Sequence, residues 1–203
     1  MYIPKYYREE DRAEILTFLG KNNFGLLITY DEKKPLATHL PTEIVEDENN
    51  ALTIYGHMAK ANPQWKSFGD QEALFVFQGP HSYISPRWYN HVNVPTWNYM
   101  AVHIYGKIRV VDDEEFYELL DRLVKKHEAG SDYRLNKLPQ DYVLKQMNGT
   151  VGFVMDVTSI EAGFKLSQNR TDEDYSNIIR ELESLGDDDA EKVARAMREN
   201  RDL

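Results

Sequence analysis

Between Phe24 and Val111 the apolar residues fall in short runs or alternate with polar ones, whereas stripes spaced three and four residues apart flank this region on both sides. The first stripe is Ile15, Leu16, Phe18 and Leu19, which predicts a helix over about 9–19 with Gly20 placed to end it. Strands are predicted at Phe24 to Tyr30, at Leu36 to Val45 with Pro35 and Pro41 near its edges, and at Ala51 to Gly56 after the turn Asp47-Glu48-Asn49-Asn50. Ala73-Leu74-Phe75-Val76-Phe77 lacks polar alternation, as in a strand buried on both faces. From Ala101 to Val111 the period is two. Val102, Ile104, Ile108 and Val110 share one face, and His103, Tyr105, Lys107 and Arg109 share the other.

Helical spacing returns after the capping residues Asp112 and Asp113, with Phe116, Leu119, Leu120, Leu123 and Val124 on one side. A last long strand is predicted from Val151 to Val157, continuing towards Leu166. Two amphipathic patterns close the chain, Tyr175/Ile178/Ile179/Leu182 and Ala190/Val193/Ala194/Met197, separated by Gly186 and Asp187-Asp188-Asp189. Five to seven strands in succession, interrupted and followed by helices, predict a mainly β fold with α: an antiparallel barrel with peripheral helices and a C-terminal helical hairpin. There is no internal repeat and no low-complexity segment.

With 203 residues, 41% of them hydrophobic, the chain can bury a substantial core, and one domain with a helical appendage is the expectation. A formal charge of -10 and a pI near 5.1 repel polyanions, because nucleic-acid affinity comes chiefly from Lys and Arg on phosphates. Direct DNA binding is therefore not expected. Without cysteine, thiolate metal sites, disulfides and cysteine nucleophiles are excluded. Met1 to Asp11 lacks the apolar run of a signal peptide, and no run of about eighteen apolar residues occurs, so a cytoplasmic protein without a membrane segment is expected.

Four places carry candidate chemistry. Phe77 to His103 packs Phe77, Tyr83, Trp88, Tyr89, Trp97 and Tyr99 among Pro80, Pro86 and Pro95, which suits a rigid pocket wall for a planar ligand or a subunit interface. Gly56 to Trp65 reads as a strand-to-helix junction, where Lys60 can meet a phosphate and Asn62 caps a helix that begins with Pro63. The blander reading leaves Lys60 solvated. His39 lies in Ala37-Thr38-His39-Leu40-Pro41, with no second histidine at metal-ligand spacing, so a structural histidine outweighs a metal ligand. Lys165-Leu166-Ser167-Gln168-Asn169-Arg170 is a dense polar cluster that fits an exposed turn or a phosphate site. No dinucleotide fingerprint, P-loop or nucleophile elbow is present.

These blocks, together with Phe77-Gln78-Gly79-Pro80-His81-Ser82-Tyr83-Ile84-Ser85-Pro86, Val94-Pro95-Thr96-Trp97-Asn98-Tyr99 and the opening Met1-Tyr2-Ile3-Pro4-Lys5-Tyr6-Tyr7, resemble the PaiB-type family of FMN-binding split-barrel proteins. The resemblance implies an FMN-binding split-barrel domain over 1–170 and a helical extension of it over 171–203. It also implies a homodimer with FMN at the subunit interface, and negative regulation of transcription in sporulation and degradative-protease synthesis. The resemblance places Lys60, with Asn62 beside it, where split-barrel flavoproteins carry a phosphate-binding basic residue, and Thr38, His39 and Leu40 on the strand whose backbone usually runs beside the isoalloxazine. By the same resemblance Gln78 falls near a position that often supplies a polar flavin contact, and Trp97 would wall the ring. Where split-barrel oxidases carry a second basic residue this chain has Ala59, so Arg87, Lys165 or Arg170 is expected to share the phosphate. The alternatives are an FMN-dependent oxidoreductase related to pyridoxine-phosphate oxidases or flavin reductases, and a haem-binding split barrel using His39, His57 or His81 as axial ligand.

Overall fold

The computed structural model describes residues 1–201. In chain order the elements are β1 (Arg8–Glu9), α1 (Arg12–Lys21), β2 (Phe24–Tyr30), β3 (Pro35–Glu46), β4 (Leu52–Ala59), β5 (Gly69–Ile84), β6 (Thr96–Val110), α2 (Asp113–His127), α3 (Gln140–Asn148), β7 (Thr150–Lys165), α4 (Asp172–Ser184) and α5 (Asp188–Asn200). The sheet runs β1-β7-β4-β3-β2-β5-β6, and β7 also pairs with β6. Six strands thus close an antiparallel barrel, with β1 added beside β7. The chain forms two compact units, one of residues 1–22, 77–103 and 161 to the end of the described chain, the other of 23–76 and 104–160.

In the second unit two tight turns set the register. Asp31 Oδ1 accepts from the backbone N–H groups of Lys33 and Lys34, which fixes β2 against β3 from Phe24↔Pro41 to Tyr30↔Pro35. Asp47 Oδ1 does the same for Asn49 and Ala51, and β3 then pairs with β4 from Thr42↔Gly56 to Glu46↔Leu52. Leu27, Ile54, Phe75, Ile104, Phe153 and Met155 are wholly inaccessible and form the core. A satellite cluster joins Val111, Phe116, Leu119, Val143, Met147 and Val154, so α2 and α3 bury their apolar faces against β7. Arg122 on α2 adds an ion pair of 3.1 Å to Glu43 and lies 4.6 Å over the Tyr55 ring.

In the first unit Phe18 of α1 packs on Phe164 of β7 with ring centroids 5.2 Å apart. All eight apolar residues of the predicted hairpin, from Tyr175 to Met197, are buried. Gly186, at φ +65, makes the turn between α4 and α5 in a conformation that few side chains accept. Buried Asn98 accepts a hydrogen bond from Ser167 Oγ and donates to Met197 Sδ, while Tyr175 Oη donates to the Met197 carbonyl. The hairpin is therefore tied to this unit by polar as well as apolar contacts.

Four local expectations need correction. The first helix starts at Arg12, because Asp11 caps it through the N–H groups of Ala13 and Glu14 while Arg8 and Glu9 pair with β7. It also passes through Gly20 to Lys21, ending where the Asn22 backbone and side-chain amides both donate to the Phe18 carbonyl. Val110 is exposed and Val111 buried, since the chain leaves the alternation to reach the Asp112 cap. The run at 73–77 belongs to a sixteen-residue strand that alternates after all: Ala73, Phe75 and Phe77 are buried, whereas Leu74 and Val76 are half-buried.

Candidate functional site

The turn after β4 is fastened at nearly every polar group. Lys60 N–H donates to the Gly149 carbonyl at 2.9 Å, the Lys60 carbonyl accepts from Trp65 Nε1 at 3.1 Å, and Asn62 N–H returns to the Ala59 carbonyl. Asn62 then caps a 3-10 turn, Pro63–Ser67, by accepting from Gln64 N–H at 3.0 Å. Its Nδ2 donates to Thr38 Oγ1 at 2.9 Å, and Thr38 Oγ1 donates in turn to Gln64 Oε1. Gln64, only 2% exposed, completes the knot by donating to the carbonyls of Leu27 and Leu36. The side chains of Thr38 and Asn62 are thus engaged in bracing the turn. Lys60 is the product of that bracing: a fixed backbone carrying an exposed ammonium with no ion pair among the described residues.

Beside it, β3 shows Ala37 and His39 to solvent while Leu40 is 3% exposed, so Leu40 offers a ligand only its backbone. The His39 ring stacks on Phe24 at 6.2 Å and 15°, and Phe24 is itself 63% exposed. His57, on β4, is half-buried. Its Nδ1 is buried without a partner, the ring tilts against Phe116, and burial pushes its pKa below the ordinary value of 6.5.

Gln78 and Trp97 belong to the first unit. Gln78 Nε2 lies 3.3 Å from His81 Nδ1, and Trp97, half exposed, has the His81 ring tilted at 6.0 Å and the Tyr83 ring edge-on at 6.0 Å. Gln78 and His81 also border a cavity of about 610 Å3 floored by Phe18, Met100 and Phe164. Its rim balances Glu14, Asp189 and Glu199 against Lys21, Lys192 and Arg195. Such a mixed rim is not a phosphate cradle. The Lys165–Arg170 segment is an internally hydrogen-bonded turn in the same unit.

Sequence reasoning passed over Gln64 as a site residue, although it ends the Asn-Pro-Gln run; only the fold reveals that this glutamine reaches Leu27 and Leu36. Phe24 carries no signal beyond that of a strand residue, and its pairing with His39 depends on strand register.

A closed antiparallel barrel with a braced, cationic turn at a strand end defines an FMN-binding split barrel. Residues 1–159 match the family described as "Putative FMN-binding domain", and the chain belongs to that family, whose cofactor is FMN. Within it the chain is of the PaiB type. It is 41% identical over 200 residues to "Protease synthase and sporulation protein PAI 2" of Bacillus subtilis (strain 168), covering 97% of this chain and 96% of that one. Two solved structures share the fold. The FAD and haem binding protein from Mycobacterium smegmatis superposes with a TM-score of 0.63 at 14% identity, over 84% of this chain and 79% of that chain. The flavocytochrome Anf3 from Azotobacter vinelandii gives 0.60 at 15% identity, over 86% and 78%. The residues present fit FMN at the point tested most directly, since an unpaired Lys60 ammonium on a rigid turn is a suitable partner for a phosphate.

Proposed function

We propose that the protein is an FMN-binding homodimer that acts as a negative regulator of transcription, in sporulation and degradative-protease synthesis, without touching DNA itself. The observation that carries this reading is identity to the Bacillus subtilis sporulation protein along nearly the whole of both chains. Lys60 would neutralise the FMN phosphate, held in place by Asn62, Thr38 and Gln64. The backbone of Thr38, His39 and Leu40 would run beside the isoalloxazine, and Gln78 and Trp97 are proposed as further flavin contacts from the resemblance. Bound FMN supplies electron-transfer chemistry; the protein's part is to hold the phosphate and shield the ring. Exposed aromatic surface in each unit, Phe24 with His39 and Tyr83 with Trp97, is suited to burial between two copies.

Titration of the purified protein with FMN, followed by flavin fluorescence and absorbance, tests the cofactor assignment. Saturation at micromolar FMN or below is expected. No fluorescence change and no thermal shift at saturating FMN would sink it. Steady FMN-dependent oxidation of NADH or NADPH would favour the oxidoreductase reading.

A further inference from the structure

Lys165 and Arg170 are cations withdrawn from solvent, and neither has a carboxylate within ion-pair distance among the described residues. Both are half-buried. The Lys165 ammonium donates to Thr96 Oγ1 and lies 5.8 Å over the Tyr7 ring, and the Arg170 guanidinium lies 5.0 Å over the Tyr89 ring. The two cations are near enough that Arg170 adds to the burial that lowers the Lys165 pKa. Asp174, the carboxylate whose charge reaches Tyr89, is spent elsewhere: it accepts from Asn90 N–H and Thr171 Oγ1 and has His91 Nδ1 at 3.3 Å. Tyr89 is 8% exposed, and its buried hydroxyl has no hydrogen-bond partner among the described residues. Burial raises the pKa of that hydroxyl, the neighbouring Arg170 guanidinium lowers it, and Asp174 and Tyr7 raise it again.

The geometry is also rigid. Ser167 sits at φ +63, held by its bond to Asn98 Oδ1, and Arg170 N–H returns to the Ser167 carbonyl. Gln168 closes on Leu166 N–H, and the Arg201 guanidinium donates to the carbonyls of Gln168 and Arg170. The fold has thus placed two half-buried cations close enough to repel, one of them over a buried phenol with no hydrogen-bond partner among the described residues. Uncompensated like charges and an unpaired buried hydroxyl both cost stability, and both costs vanish when an oxyanion enters.

We infer that Lys165, Arg170 and Tyr89 form a binding site for the phosphate or carboxylate group of a second small ligand. This rests on the assignment of the FMN phosphate to Lys60. Arg170 and Lys165 would share the charge, and Tyr89 would donate its hydroxyl.

The test uses FMN-loaded protein titrated with inorganic phosphate, and separately with acetate, at constant ionic strength set by KCl, reading the thermal midpoint. A saturable rise is expected, and the stronger of the two anions names the ligand class. Arg170→Gln and Lys165→Gln should each weaken that response tenfold or more while FMN affinity holds. Tyr89→Phe guards against misfolding as an explanation, because it should keep or raise the midpoint without anion yet diminish the anion response. Lys60→Ala should leave the response intact. A wild-type response no larger than that to KCl, or an undiminished response in Arg170→Gln, overturns the inference. So does loss of FMN and phosphate binding together in Arg170→Gln, which would make this the flavin's own phosphate site. An unchanged FMN affinity in Lys60→Ala alone would instead remove the Lys60 assignment.

Discussion

At the scale of single residues, what decides function here is which polar groups are left over once the fold has used the rest. Thr38, Asn62 and Gln64 satisfy one another and the strand carbonyls, so the Lys60 ammonium is the free charge of that turn. Lys60→Ala is expected to weaken FMN binding by roughly ten- to a hundredfold, the range of one charge-assisted contact, with an unchanged circular dichroism spectrum. His57 makes a different prediction. Burial lowers its folded pKa below 6.5, so at higher pH it is neutral in both states and no stability is lost. As pH falls below 6.5 the unfolded chain takes up the proton first, and stability declines until the depressed folded pKa is passed. His103 acts with the same sign, lowered by burial and by the N-terminal ammonium. Urea midpoints should therefore fall on the acid side, and His57→Leu should flatten part of that fall. A slope identical to wild type would show that His57 is not the group responsible. The spacing of the sequence marks Lys60 and Asn62 as a junction, but residue identity alone does not say that Asn62 reaches Thr38 as well as capping the turn.

At the scale of elements, alternation and helical stripes foretold most of the strands and four of the five helices, because burial of one face is a local pattern. The exceptions have local causes. Gln140–Asn148 forms α3 with only Val143 and Met147 buried, a stripe too thin to be read, and β5 runs on through Gly79 and Pro80, which ordinarily signal a break. Close approach of strands was not legible either. A Cβ on Gly106 would stand 2.4 Å from the Asp156 carbonyl oxygen, a backbone atom that cannot swing aside. Gly106→Ala is expected to destabilise the protein by about 1–3 kcal/mol in chemical denaturation, as overpacking does. In the C-terminal hairpin Met197 is wholly buried and its carbonyl receives the Tyr175 hydroxyl. Met197→Ala should cost about 2–5 kcal/mol, and a loss near zero would mean that the hairpin is not part of the cooperative unit.

At the scale of the whole molecule, the charge of -10 argues that any regulation works through partners rather than through phosphate contacts to DNA. In a gel shift at low salt no complex is expected; a complex that dissolves steeply with added salt would reverse that view. Light scattering on the purified protein is expected to give twice the chain mass, and a monomer at micromolar concentration would remove the homodimer. The amino-acid sequence by itself determined the mainly β class, the burial of the terminal hairpin and the location of the cationic turn, because each follows from periodicity or from a few adjacent residues. Only the tertiary structure decided that Thr38, twenty-four residues from Asn62, shares its hydroxyl with that turn, and that Arg170 lies over the ring of a buried Tyr89. Such juxtapositions depend on strand register and loop closure, which join residues far apart in the chain and leave no periodic trace in it.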